Sequence, residues 1–248
     1  MKKFGLIGHP IAHSLSPALF KAAYDGKYAY DLIEGEDFET SYRRFIEEYD
    51  AINVTAPFKE AAFAKADILS EECASTGATN LLVKTPEGIK AYNSDFLGVR
   101  MWLSEVTEDL KGVKILIVGL GGAGKAAAAA AESLGMDVIR MNRTVRDSRT
   151  LPLDKFRECL READIMIYNI PAAIPELKEL TDSDFNEDKP KLILEANYKD
   201  PSLRETMESF GSKAVYTGGK TWLLYQAMTG YKILTGEKPD LTKMSDVL

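Results

Sequence analysis

The chain has 248 residues, of which 45% are hydrophobic, and a formal net charge of −7 at pH 7. This length allows two domains of ordinary size, and the acidic charge argues against a nucleic-acid or anionic-membrane partner. The only cysteines, Cys73 and Cys159, and the only histidines, His9 and His13, lack the spacing of a disulfide framework or a metal site. No segment has the pattern of a signal peptide or the roughly 20 apolar residues that span a bilayer, so a soluble, cytoplasmic protein without a metal is expected.

The first half of the chain alternates short apolar strands with helices. Strands are predicted in KFGLIG, YAYDLIE and DAINVT, each followed by a helix, from about Pro17, Asp37 and Pro57. The segments TNLLVK and GIKAYN predict a hairpin before a long helix from about Ser94. Such alternation is typical of strand-helix-strand units and a mostly parallel sheet.

The second half contains four nearly continuous apolar strands, in VKILIVG, MDVIRMN, ADIMIYNI and KLILEAN. Parallel strands covered by helices on both faces have this composition. The chain is therefore predicted to be an α/β protein of two domains. An amino-terminal α/β domain would comprise residues 1–99 together with 220–248, where a last helix returns, and residues 100–219 would form a Rossmann-type, doubly wound dinucleotide-binding domain.

A glycine-rich turn in VGLGGAGKAAAAAA fits two motifs. Gly119, Gly121 and Gly124 match G-x-G-x-x-G, whereas Gly119, Gly124 and Lys125 match the start of a nucleoside-triphosphate loop. That loop needs a hydroxyl group after its lysine to bind Mg²⁺, and Ala126 has none. The order strand, turn and helix therefore favours a dinucleotide over a tight turn that only packs a helix. The predicted cofactor contacts at the turn are Gly119, Gly121, Gly122, Ala123 and Gly124.

The residues at the end of the next strand indicate which dinucleotide binds. NAD-binding proteins place an acidic residue there for the ribose 2′-hydroxyl group, but this chain has Asn142, Arg143 and Thr144. Four arginines cluster nearby, and guanidinium groups bind phosphate well; they are Arg140, Arg143, Arg146 and Arg149. NADP is therefore predicted, and the alternative is a solvated basic turn.

Polar residues precede or begin three predicted helices of the amino-terminal domain. In HPIAHSLSP, Ser16 followed by Pro17 has the pattern of a helix N-cap, while Ser14 has no such structural role and could help to bind a carboxylate. The other two segments are INVTAPFKE, with Asn53, Thr55 and Lys59, and NSDFLG, with Asn93, Ser94 and Asp95, any of which could cap a helix. Because ligands bind beyond the carboxyl ends of parallel strands, these side chains are expected to converge.

Seven ordered motifs, GHPIAHSLSP, NVTAPFK, GATN, NSDFLG, GLGGAG, NRT and LLYQA, resemble the shikimate dehydrogenase family over nearly the whole chain. The resemblance implies NADP-dependent interconversion of 3-dehydroshikimate and shikimate, a step toward the aromatic amino acids. It also implies that the amino-terminal domain binds the substrate. The expected assembly is a monomer or a homodimer.

The resemblance also assigns residues. Lys59 and Asp95 match the catalytic pair, with Lys59 as the general acid toward the ketone, and Ser14 and Ser16 match the hydroxyl groups that hold the substrate carboxylate. The positions around the ring hydroxyl groups are matched by Asn53, Thr55, Asn80, Asp95 and Gln226. Tyr198 matches a tyrosine of the site, and Gly219 matches a glycine of the cofactor site.

Two segments depart from the family pattern. Phe20 and Lys21 replace a His-Asn pair, and Lys220, Thr221 and Trp222 alter the segment that is Gly-x-Gly-Met-Leu in the family. Two alternatives therefore stay open. One is a quinate/shikimate or aminoshikimate dehydrogenase, and the other is a non-catalytic sensor of NADP or of a metabolite.

Overall fold

The structure is a computed structural model that describes residues 2–248. It contains two compact units, the first comprising the chain up to Gly98 together with Leu224–Leu248, and the second comprising Val99–Leu223. Each unit is built on its own six-stranded sheet.

The first unit has a mixed sheet. Its strands are β1 (Lys3–Gly8), β2 (Ala29–Glu34), β3 (Ala51–Val54), β4 (Ile68–Leu69), β5 (Leu81–Thr85) and β6 (Gly88–Tyr92). Their order in the sheet is β2-β1-β3-β5-β6-β4. Strand β1 pairs in parallel with β2 and β3, and the hairpin of β5 and β6 adds antiparallel to β3. Because β6 runs in the same direction as β3, the carboxyl ends of β1, β3 and β6 share one edge.

Helices follow the strands of this unit as the hydrophobic pattern predicts. They are α1 (Ser16–Ala23), α2 (Phe38–Glu48), α3 (Lys59–Ala64), α4 (Glu71–Thr76) and α5 (Ser94–Val106). The hairpin and the helix start at Ser94 are confirmed. The short elements β4 and α4 were not predicted, since a strand of two residues has too few positions to show a period.

The second unit has a fully parallel sheet. Its strands are β7 (Lys114–Val118), β8 (Asp137–Met141), β9 (Thr150–Leu151), β10 (Ile165–Tyr168), β11 (Lys191–Glu195) and β12 (Ala214–Thr217). The order is β12-β11-β10-β7-β8-β9, which is the Rossmann order 3-2-1-4-5-6 read from the opposite edge. The predicted α/β class with a doubly wound domain is confirmed.

The four predicted strands of this unit all form, and the two that were missed are the edges of the sheet. Ile115, Leu116, Ile117 and Val118 of β7 have no exposed surface because helices cover both faces. The edge strands β9 and β12 are short, and Val215 in β12 is 47% exposed. They therefore lack the continuous apolar run that marks the central strands.

The helices of the second unit are α6 (Gly122–Ser133), α7 (Phe156–Glu162) and α8 (Arg204–Glu208), with short 3₁₀ helices at Leu153–Lys155, Pro175–Glu179, Asp182–Asp184 and Gly211–Lys213. Two further helices follow, α9 (Gly219–Thr235) and α10 (Leu241–Ser245). No helix within residues 2–248 is long and apolar enough to cross a membrane.

Candidate active site and dinucleotide site

The three glycines of the turn between β7 and α6 have different physical roles. Gly119 has a φ of +87°, which a side chain would strain. A Cβ atom on Gly124 would lie 1.8 Å from the carbonyl oxygen of Gly119, so only glycine lets α6 approach β7 this closely. A Cβ atom on Gly121 would meet nothing within 4 Å. The turn thus leaves open space in front of the helix amino end, as the approach of a pyrophosphate group requires.

Ala126 excludes the triphosphate alternative on structural grounds as well. Its side chain is fully buried in the second unit, at the position where a phosphate loop would need a hydroxyl group facing Mg²⁺. Among the described residues, no group of three or more His, Cys, Asp or Glu side chains is placed to hold a metal ion.

Asn142 connects the glycine turn to the arginine-containing loop after β8. The N–H of Leu120 donates to Asn142 Oδ1 at 3.4 Å, and Asn142 Nδ2 donates to the carbonyl of Thr144 at 3.2 Å. The N–H of Gly119 donates to the carbonyl of Met141 at 2.8 Å. These bonds hold the end of β8 beside the turn, so Asn142 positions both segments.

The four arginines near this loop are not equivalent. Arg140 forms an ion pair with Glu132 and is only 18% exposed in its side chain. Arg143, Arg146 and Arg149 are exposed. Of the three exposed arginines, Arg143 directly follows Asn142, whose side chain accepts a hydrogen bond from the glycine turn.

Asp147, the only acidic residue in this loop, accepts hydrogen bonds from neighbouring residues of the loop. Its Oδ1 accepts the N–H of Arg149 at 2.9 Å and the hydroxyl of Thr150 at 3.1 Å. The hydrogen bond from the Arg149 backbone is the main cause that holds the pKa of Asp147 below its ordinary value. The carboxylate therefore caps a turn and does not occupy the end of β8, where an acidic residue would bind a ribose.

The first unit brings Lys59 and Asp95 together as an ion pair between Nζ and Oδ2. Lys59 is the first residue of α3, which follows β3, and Asp95 is the second residue of α5, which follows β6. The two side chains are only 19% and 10% exposed. A carboxylate and an ammonium group that are 36 residues apart in sequence thus meet at the shared edge of the sheet.

The start of α5 is held by the side chains of two asparagines. Asn93 Oδ1 accepts the N–H of Phe96 at 3.1 Å, and Asn80 Oδ1 accepts the N–H of Ser94 at 2.7 Å. Asn93 Nδ2 also donates to the carbonyl of Ala78 at 2.9 Å. Of the three candidates for a cap in NSDFLG, Asn93 is the one whose side chain caps the helix.

Asn80 and Gln226 meet beside this helix. Asn80 is only 3% exposed, and its Nδ2 donates to Ser94 Oγ at 3.0 Å and to Gln226 Oε1 at 3.4 Å. A Cβ atom on Gly98 of α5 would lie 2.7 Å from the backbone nitrogen of Gln226. The glycine therefore lets α9 approach α5 closely enough for Gln226 to reach Asn80.

The predicted cap of α1 by Ser16 is wrong. The helix includes Ser16, its N-cap is Leu15, and the hydroxyl that accepts a backbone N–H is Ser14 Oγ, from Ser16 at 3.2 Å. The local sequence S-L-S-P contains two hydroxyl groups, and that of Ser14 accepts the hydrogen bond that forms the turn. Ser16 keeps its hydroxyl group for contacts outside the helix backbone.

Asn53 and Thr55 lie at the carboxyl end of β3. The N–H of Thr55 donates to the carbonyl of Ile7 at 2.8 Å. Asn53 Oδ1 accepts the hydroxyl of Tyr30 at 2.8 Å, a contact that the sequence did not predict. The alternating pattern of YAYDLIE predicts a strand, but it does not show that the Tyr30 side chain extends across a neighbouring strand to Asn53.

Tyr198 and Gly219 contribute to a pocket in the second unit. The pocket has a volume of about 210 Å³, follows the ends of β11 and β12, and is also lined by Arg204, Lys220 and Thr221. A Cβ atom on Gly219 would lie 2.5 Å from the carbonyl oxygen of Ala196, so this glycine is required by backbone packing. Burial raises the pKa of the Tyr198 phenol.

The two altered residues after Lys220 have different surroundings. Trp222 is 5% exposed, whereas Thr221 lines the pocket. The indole ring therefore fills space within the protein. The departure that changes the surface of the pocket is the pair Lys220 and Thr221.

The Rossmann order, the three glycines and a lysine–aspartate pair on a separate α/β unit define a two-domain, dinucleotide-dependent enzyme class. Residues 6–82 match the family model for the shikimate dehydrogenase substrate binding domain, and residues 89–194 match that for the NAD binding domain of D-isomer specific 2-hydroxyacid dehydrogenases. The chain belongs to the shikimate dehydrogenase family.

Individual relatives match along nearly their whole length. The NADP⁺ shikimate dehydrogenase of Staphylococcus aureus is 32% identical over 98% of this chain and 96% of its own. That of Thermotoga maritima is 30% identical over 93% and 92%. The structure of the Thermus thermophilus enzyme with NADP(H) and shikimate is 27% identical, covers 100% of this chain and 98% of its own, and has a TM-score of 0.81.

The contact between Gly124 and Gly119 predicts a large effect on stability. Gly124→Ala should lower the free energy of unfolding by about 2 to 4 kcal/mol, because the new Cβ atom would overlap the Gly119 carbonyl and force α6 away from β7. Gly121→Ala is the matched control, since its Cβ atom meets open space and its φ is −71°. Urea unfolding of both variants measures the difference, and equal midpoints would contradict this account.

Proposed function

We propose that this protein catalyses the reversible, NADP-dependent reduction of 3-dehydroshikimate to shikimate, a step toward chorismate and the aromatic amino acids. The observation that carries the proposal is the Lys59–Asp95 ion pair at the carboxyl edge of the first sheet, in a chain that also contains a dinucleotide turn. Residues 1–99 with 220–248 bind the substrate, and residues 100–219 bind NADP. A cytoplasmic location and a monomeric or dimeric assembly stay predictions.

The glycine turn fits the pyrophosphate of NADP, because Gly121 leaves the space in front of α6 open. The pyrophosphate accepts hydrogen bonds from the backbone N–H groups at the amino end of this helix, those of Gly122, Ala123 and Gly124. Asn142, Arg143 and Thr144 lie where the adenine ribose is recognised, with Arg143 binding the 2′-phosphate. Gly219 lines the pocket beyond β12. Bound NADPH supplies the hydride that reduces the ketone.

Lys59 moves the proton in this reaction. As a hydride reaches the carbonyl carbon, negative charge develops on the ketone oxygen, and the Lys59 ammonium group donates the proton that completes the alcohol. In the reverse direction neutral Lys59 accepts that proton. Asp95 holds the ammonium group in place and accepts a hydrogen bond from a substrate hydroxyl group.

The other polar residues of the first unit bind and orient the substrate. Ser14 and Ser16, at the amino end of α1, hold its carboxylate. The ring hydroxyl groups are assigned to Asn53, Thr55, Asn80 and Gln226. Tyr198, which lies in the second unit, is also proposed to contact the substrate. The Asn80 side chain already makes hydrogen bonds to Ser94 and Gln226, so it orients Gln226 as well as the substrate.

The experiment that tests this proposal is NADPH formation by the purified protein, followed by absorbance with shikimate or quinate and with NADP⁺ or NAD⁺. Turnover of shikimate with NADP⁺ is expected to be fastest. Faster turnover of quinate would assign the protein to the quinate/shikimate dehydrogenases. Binding of NADP⁺ and shikimate without turnover would assign it to the sensors.

Lys59→Ala should lower kcat by about 100-fold to 10,000-fold, because the ketone oxygen loses its proton donor. The matched control is Lys65→Ala, which removes a lysine directly after the same helix whose partner is the exposed Glu39. Steady-state kinetics of both variants measure the effect, with shikimate binding followed by calorimetry. Near-normal turnover by a folded Lys59→Ala protein would contradict the assigned role.

Arg143→Ala should raise the KM for NADP⁺ about tenfold and leave that for NAD⁺ unchanged, because only NADP⁺ carries the 2′-phosphate. Comparing the two cofactors within one variant separates loss of this contact from a general defect. Arg140→Ala provides a second comparison, since this guanidinium group is already paired with Glu132. An equal rise for both cofactors would show that Arg143 does not select NADP.

A further inference from the structure

The Tyr30 side chain extends from β2 across β1 to reach Asn53 in β3. It lies in β2 opposite Phe4 of β1, while Asn53 lies in β3 opposite Leu6 of the same strand. Because residues two apart on a strand share a face, Tyr30 and Asn53 rise from the same face of the sheet with β1 between them. Strands β2 and β3, which lie on either side of β1, are about 10 Å apart, and the Tyr30 side chain spans this distance to reach Asn53.

The Tyr30 hydroxyl group donates to Asn53 Oδ1 at 2.8 Å. The amide of Asn53 has one acceptor oxygen and one donor nitrogen on opposite sides. Because the phenol donates to the oxygen, it turns that oxygen toward Tyr30 and the amide nitrogen, with its two N–H groups, away from Tyr30. A single hydroxyl group therefore decides which end of the Asn53 amide a ligand meets.

Tyr30 is itself held in place by aromatic packing. Its ring centroid lies 4.5 Å from that of Phe20 and 6.2 Å from that of Tyr231. Phe20 is 1% exposed and is one of the residues that depart from the family pattern. Burial raises the pKa of Tyr30 well above its ordinary value, and a hydrogen bond from the Ser16 side chain lowers it in part. Burial therefore favours the neutral phenol, which is the form that donates a hydrogen bond.

We propose that Tyr30 is a positioning residue that presents the N–H side of the Asn53 amide to a ring hydroxyl oxygen of the substrate, an inference that rests on the function proposed above. Phe20 supports this role by packing against the Tyr30 ring.

The test compares Tyr30→Phe with Tyr28→Phe. Both changes remove one phenol hydroxyl group from the same aromatic cluster, but the Tyr28 hydroxyl donates to the exposed Glu237 at 2.7 Å. Tyr30→Phe should raise the KM for shikimate about fivefold with little change in kcat, as expected for the loss of one hydrogen bond that aids binding. Tyr28→Phe should change the KM by less than about twofold.

A double-mutant cycle separates positioning from packing. In the Asn53→Ala background, Tyr30→Phe should raise the KM by less than about twofold further, because the amide it orients is absent. If Tyr30 acts only through packing, its fivefold effect will persist in that background and the inference fails. The KM for NADP⁺ should stay unchanged in each variant.

Asn53→Asp gives a test that leaves Tyr30 intact. The new carboxylate still accepts the Tyr30 hydroxyl but has no N–H group for the substrate. The KM for shikimate should therefore rise as much as in Asn53→Ala, and a KM within about twofold of the wild type would overturn the inference. If the wild-type protein does not turn over shikimate, the proposed function itself fails. If it does and Tyr30→Phe behaves like Tyr28→Phe, only the inference fails.

Discussion

The first unit depends on keeping one pair of opposite charges together away from most of the solvent. The Lys59 and Asp95 side chains are 19% and 10% exposed, so each charge would be costly without the other. The pair exists because β3 and β6 end at the same edge of the sheet and because α3 and α5 begin there.

This dependence explains why so many polar groups near the pair are committed to the backbone. Asn80 and Asn93 hold the first turn of α5, and Gly98 sets how closely α9 approaches it. An ion pair is more stable on such a rigid backbone. On a mobile backbone, the conformational entropy lost in ordering two flexible side chains would offset the attraction between their charges. Asn80 is therefore part of the frame of the site as well as a residue assigned to substrate binding.

Patterns that repeat within a segment were predictable from the sequence, whereas contacts across the sheet were not. The central strands β7, β10 and β11 were evident because burial on both faces requires continuous apolar residues. The glycine turn was evident because its glycines follow a fixed spacing between a strand and a helix. The edge strands β9 and β12 and the turn formed by Ser14 were missed, since each depends on two to four residues without a period.

Among the site residues, the convergence of Lys59 and Asp95 followed from the parallel topology, but the bond between Tyr30 and Asn53 did not. A strand pattern gives the face on which a side chain lies and not the length of its reach. The position of Lys220 and Thr221 in the lining of a pocket with Arg204 likewise required the structure.

The departures from the family pattern fall into two physical classes. Phe20 and Trp222 are almost fully buried, and their size is accommodated by packing, with Phe20 stacked near Tyr30 and Tyr231. Lys220 and Thr221 instead line a pocket surface. A buried substitution acts on a ligand only through the residues it supports, whereas a lining substitution changes what the ligand meets. Lys220 and Thr221 therefore change the surface that a ligand in this pocket would meet, whereas Phe20 acts only through the side chains that it packs against, Tyr30 among them.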